Sequence, residues 1–108
     1  MKVYNVLLHT PLGKKKGELV IDCGDAEFLN GGKLNGYLLI FGHKEDIKGE
    51  IFEDNSCLFE GRFVTLLKIV DFKAKGKITK DEVSLELIGN SGSYRLTGSI
   101  SDKRSDDR

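Results

Sequence analysis

The feature that most limits this chain is a two-residue alternation interrupted by glycine at matching places. Gly17-Glu18-Leu19, Gly49-Glu50-Ile51, Gly76-Lys77-Ile78 and Gly98-Ser99-Ile100 each set an apolar residue two positions after the glycine. Leu34-Asn35-Gly36 and Phe59-Glu60-Gly61 set one two positions before it. Side chains two apart share one face of a β-strand. The pattern reads as one β-hairpin written four times. In the clearest stretch, Val70, Phe72, Ala74, Gly76 and Ile78 alternate with Asp71, Lys73, Lys75 and Lys77. That is a strand with one buried and one solvated face. No segment shows a helical period, and only Asp25 to Asn30 could form a single turn.

The alternation predicts eight strands, at about 2–9, 14–22, 33–41, 44–53, 56–65, 69–79, 82–89 and 93–101. Thr10-Pro11-Leu12-Gly13 is a turn with proline at its second position. Glu53-Asp54-Asn55-Ser56 and Gly89-Asn90-Ser91-Gly92 are short polar turns, and Lys80-Asp81 separates the sixth and seventh strands. The fifth turn, Thr65-Leu66-Leu67-Lys68, has neither glycine nor proline, but it aligns with Thr10-Pro11-Leu12-Gly13. The alignment suggests two related halves, 1–53 and 54–101, although β-meanders under shared constraints would produce the same likeness.

Short connections make neighbouring strands antiparallel. An open meander would leave two unpaired edges, and closing the first strand on the eighth removes both. The fold class expected is therefore all-β: a single eight-stranded antiparallel up-and-down barrel over residues 1–101, followed by a disordered polar tail, 102–108. Glycines on inward positions would relieve crowding of the inner wall where strands bend, or leave room for a ligand.

The inward positions are nearly pure hydrocarbon, from Leu19 and Ile21 round to Leu96 and Ile100, with Tyr94 the one polar group expected inside. Any interior ligand would then be small and apolar. The long connection from Cys23 to Gly32 carries Phe28 and Leu29 beside a Gly31-Gly32 hinge. It is expected to fold over the barrel mouth, as a plug or as a lid. The candidate ligand-binding set is Phe28, Leu29, Leu38, Phe59, Phe72, Tyr94 and Leu96. The third strand is apolar on both faces, so Tyr37, Leu39 and Phe41 are a candidate outer interface for a homodimer or a protein partner.

Composition narrows the remaining classes. Lys+Arg and Asp+Glu number 17 each, giving no global field toward nucleic acid or anionic lipid. Neither partner is expected. The lysines at 73, 75 and 77 lack interleaved aromatics and can pair with Glu82 and Glu86. No apolar run approaches a membrane span, and Met1 to Val6 is unlike a signal peptide, so a cytoplasmic location is expected. Cys23 and Cys57 fall at one end of the barrel but three strands apart, too far for a disulfide. His9 and His43 share the other end, where a metal or enzymatic rim is conceivable. Their spacing matches no ligand motif, and no nucleophile elbow or phosphate loop is present. The expectation is a non-enzymatic protein without metal or cofactor. It would be a binding module for a small apolar ligand at the mouth, or else a filled barrel that works through the outer face of strand three.

The eight-strand pattern resembles the calycin superfamily, the up-and-down barrels of lipocalins, fatty-acid-binding proteins and avidins. The resemblance spans residues 2–101 and is one of architecture. Lipocalins carry Gly-x-Trp on the first strand and avidins line their site with Trp, whereas this chain has none. Fatty-acid-binding proteins have ten strands and an interior Arg/Tyr clamp; here Tyr94 and Arg95 are adjacent and face opposite ways. No binding residue carries over from these families. The Thr-Pro-Leu-Gly turn with Gly-x-apolar strands is also similar to small bacterial β-proteins of unknown function.

Overall fold

The computed structural model describes residues 1–23, 31–90 and 92–101. Phe28, Leu29 and the tail 102–108 lie outside these residues. Eight strands follow in order: β1 (Lys2–Thr10), β2 (Gly13–Ile21), β3 (Gly32–Ile40), β4 (His43–Ile51), β5 (Ser56–Val64), β6 (Ile69–Ile78), β7 (Glu82–Gly89) and β8 (Gly92–Ile100). Each pairs antiparallel with the next, and β1 pairs with β8, so the sheet is a closed meander barrel. The closing ladder runs from Tyr4↔Ile100 to His9↔Arg95, and the Ser101 amide extends it by donating to the Val3 carbonyl at 2.7 Å. Alternation drives closure, because every strand has an apolar face that only the barrel interior can bury.

The interior is one apolar cluster that includes Tyr4, Val6, Leu8, Leu38, Phe59, Phe63, Phe72 and Leu96. Phe63 on β5 and Tyr94 on β8 meet edge to face with ring centroids 5.4 Å apart. Those strands are three places apart round the barrel, so the contact reaches across the interior near the Leu66 end. Phe72 continues the bridge to Phe63 at 6.0 Å and to Phe59 at 6.4 Å. Outward positions carry the charge: Lys75 faces Glu86 across the β6–β7 ladder at 3.9 Å. Polar outside and apolar inside is the reverse of a barrel that spans a bilayer. No helix among the described residues is long and apolar enough to cross a membrane.

The glycines sit inward; at Gly61 an added Cβ would meet the interior side chains of Ile47 and Phe72, as a crowded inner wall requires, but elsewhere the obstacle differs. A Cβ on Gly36 would lie 1.9 Å from the Val20 carbonyl oxygen, and one on Gly76 would lie 2.2 Å from that of Ser84. The obstacle is the backbone of the adjacent strand, which crosses too close where the sheet coils. Gly76 also has φ +151°, which side chains rarely adopt.

The turn without glycine or proline is explained by its threonine. The Thr65 amide donates to the Lys68 carbonyl at 2.8 Å, and the Thr65 hydroxyl accepts from the Leu67 and Lys68 amides. At the other aligned turn the Thr10 hydroxyl accepts from the Leu12 amide and donates to the Gly13 carbonyl. A side-chain hydroxyl replaces the backbone freedom that glycine would supply.

Candidate functional site

Strand direction gives the barrel two rims. One carries the turns around Leu12, Gly42, Leu66 and Asn90; the other carries the β4–β5 and β6–β7 turns and the ends of β2 and β3. At the second rim Tyr4 is fully buried, and its hydroxyl donates to the Thr79 carbonyl at 2.6 Å, tying β1 to the β6–β7 turn. Burial raises the Tyr4 pKa above its ordinary value, and nearby Cys23 and Asp81 push the same way. Cys23 and Cys57 are free and buried at this rim. Burial pushes the Cys57 thiol up to about 12, so it is an inert core group. Tyr4 is thus a second interior polar side chain beside the expected Tyr94. Its signal in the sequence was an inward-phase tyrosine at a strand start opposite a threonine turn.

At the first rim Phe41 closes the mouth. It occupies the β3–β4 turn with φ 56°, and its ring lies 5.8 Å from that of Phe63. The expected outer triple is therefore corrected. Tyr37 and Leu39 do lie on the outer face of β3, but Phe41 packs, half-buried, against the core, because the left-handed turn ends the strand at Ile40 and swings the ring inward. The outer face is also better covered than its sequence implies. Val3, Val20 and Tyr37 stand side by side across β1, β2 and β3, and Val20 is only 2% exposed. The Lys44 ammonium caps the Tyr37 ring at 4.4 Å from its centroid.

Leu38, Phe59, Phe72 and Leu96 are buried among one another, and Tyr94 is half-buried at the first rim. The residues flanking 24–30, Cys23 and Gly31, lie at the opposite rim from Tyr94. His9 is held by Thr97, with Nε2 3.1 Å from Oγ1, and His43 is exposed on β4. Among the described residues no three His, Cys, Asp or Glu side chains converge as metal ligands.

The concave surfaces lie on the outer wall. The larger is an open groove of about 1050 Å³ that crosses the strands along the row where the wall bends at Gly36, Gly61 and Gly89. Tyr37 and Ile88 supply apolar side chains, and Asp46, Lys48, Arg62 and Asp71 supply charge. It lies over a seam, because the β4–β5 ladder stops at Lys48↔Glu60 and leaves Glu45–Ile47 and Gly61–Phe63 unpaired with each other in the sheet. Arg62 and Asp71 pair across the β5–β6 hairpin beside it at 3.5 Å. A second open groove of about 900 Å³ includes Phe52, Leu58, Lys75, Glu86 and Arg95.

These features define an eight-stranded up-and-down β-barrel of calycin-like architecture. No family model matches the chain, and no curated protein does. Among solved structures it is similar to a redesigned β-barrel, mFAP1, bound to DFHBI, with a TM-score of 0.51 and 12% identity over 92% of this chain and 91% of that one. A second redesigned barrel, mFAP0, also bound to DFHBI, overlaps with a TM-score of 0.49 and 14% identity over 92% and 94% of the two chains. The likeness at this identity is one of fold.

Proposed function

We propose that this chain is a non-enzymatic binding module that works from its outer wall. It takes a segment of a partner protein in the groove over the β4–β5 seam. The carrying observation is the Phe63–Tyr94 contact at 5.4 Å, which with Phe41 closes the first rim over a buried apolar cluster. A barrel filled this way leaves its concave surface outside, where Tyr37 and Ile88 offer apolar anchors and Lys48, Arg62, Asp46 and Asp71 offer charges of both signs. A reducing, cytoplasmic setting belongs to the same proposal, since both thiols are free.

A second reading keeps a small apolar ligand at the mouth where β2 ends and β3 begins. It draws on the mFAP1 barrel, which has a small molecule bound, and on the apolar Leu34, Cys57 and Val83 at that rim. One titration separates the two. Decanoate is added to isotopically labelled protein while the methyl resonances of Leu38, Leu96 and Val83 are followed. The outer-wall reading expects them to stay fixed, and saturable shifts in all three would replace it with the ligand reading.

A further inference from the structure

We propose that the rim carrying Leu12, Leu66 and Leu67 docks on the surface of an anionic lipid bilayer. Burying apolar side chains is the main favourable term in folding, yet these three leucines are 89%, 104% and 93% exposed. They occupy the tips of two hairpins, β1–β2 and β5–β6. In a closed eight-strand barrel those hairpins are four strands apart, so they stand on opposite sides of one rim. Both tips are fixed by the same threonine hydrogen bonds, so the leucines are held outward by ordered turns. The β5–β6 arm also extends past its neighbours: the flanking ladders stop at Glu60 on the β4 side and Phe72 on the β6–β7 side.

Charge chooses the occupant. The turns of this rim and the strand ends beside them carry Lys14, Lys15, Lys16, Lys44 and Lys68, with Glu45, Asp46 and Asp71 set further back on β4 and β6. The other rim carries Asp22, Glu53, Asp54, Asp81 and Glu82 against Lys2, Lys33 and Lys80. The net charge of zero hides this uneven distribution, with lysine in excess at one rim and carboxylates in modest excess at the other. Cations beside shallowly inserting apolar side chains are the chemistry of interfacial binding to anionic lipid. A groove on a protein would accept one hairpin tip, whereas a broad, deformable surface accepts both, on either side of a mouth closed by Phe41.

This surface is separate from the groove, so the proposal stands or falls independently of the partner reading. The chain has no tryptophan, so a single one reports its own surroundings. Leu67→Trp and, on the opposite rim, Phe52→Trp are mixed with phosphatidylcholine vesicles, with and without about one third phosphatidylglycerol. Leu67→Trp emission is expected to shift to the blue with the anionic vesicles only, and Phe52→Trp emission is expected to stay put. In co-sedimentation, the Leu12→Ser/Leu66→Ser/Leu67→Ser variant should partition at least about tenfold less than the natural chain. Its thermal midpoint should be unchanged, because the replaced side chains are solvated already. Three results would overturn the proposal: no shift at position 67, an equal shift at position 52, or a triple variant that binds as well as the natural chain. So would light scattering that shows the leucines buried in a dimer, detected as a dimer lost in the triple variant.

Discussion

The two rims are built from the same alternation and the same hairpins, yet they are closed by different chemistry. The acidic rim is closed by a hydrogen bond, Tyr4 hydroxyl to Thr79 carbonyl, with two thiols and aliphatic side chains beneath it. The leucine rim is closed by rings: Phe41 from a left-handed turn, Phe63 from β5 and Tyr94 from β8. Directional closure fixes one strand to one turn. Ring closure fills volume and needs only approximate geometry, so the turns around it can vary and present their tips to solvent. The tightly tied end is acidic and the loosely tied end basic and apolar, which is the division expected if one end holds the barrel together and the other meets a surface.

Substitutions can break this contrast. The largest effect is expected from Gly76→Val, on the acidic-rim side of β6. The new Cβ would strike the Ser84 carbonyl, a backbone atom that cannot rotate away, at a φ that valine avoids. Overpacking and backbone strain together should cost about 5 kcal/mol, read as a lower urea midpoint, and a neutral result would mean the two strands separate freely there. Phe63→Ala comes next. It removes the ring that touches Phe41, Phe72 and Tyr94, and should cost about 3–5 kcal/mol and open a cavity at the leucine rim. A loss under about 1 kcal/mol would show that this rim is not closed by rings.

Tyr4→Phe should cost about 1–2 kcal/mol by leaving the Thr79 carbonyl without its donor, and the thermal midpoint should fall accordingly. The acidic rim should also be the alkali-sensitive one. Cys57 and Tyr4 hold their protons more tightly folded than unfolded. Their stabilisation is therefore fully present below the unfolded-state values and is lost as pH rises, for Cys57 between about 9 and about 12. Cys57→Ala should flatten the fall in denaturation midpoint over that interval; an unchanged slope would place the sensitivity elsewhere. The smallest effect belongs to Asp71→Asn. The Arg62–Asp71 pair is more than half exposed on each side, and its loss should change the midpoint by less than about 0.5 kcal/mol.

Much of this architecture was legible from side-chain order. Strand limits fell within a residue or two, and the aliphatic and phenylalanine residues from Leu19 to Leu96 assigned inward are in the core, with Tyr94 and Ile100 packed against it half-buried. The period-two signal is strong because one face of each strand has nowhere else to go. The misses share a cause. Phe41 was in phase with Tyr37 and Leu39, but a backbone turn to φ 56° cancels phase. Tyr4 was in phase with the interior, but its importance depends on Thr79, a residue 75 positions away. The glycines were placed correctly, and Gly61 does face interior side chains, but at Gly36 and Gly76 the obstacle is a carbonyl of the adjacent strand, which only the register shows.

The sequence by itself determined the number of strands, their faces and their closure, because alternation is a local property that burial converts into a barrel. Only the tertiary structure decided that Phe63 and Tyr94 meet across one rim, that the β4–β5 ladder stops short, and that five lysines and three leucines share that rim. Those facts depend on distances between residues far apart in the chain. They are set by how the sheet coils as it closes, which no local pattern records.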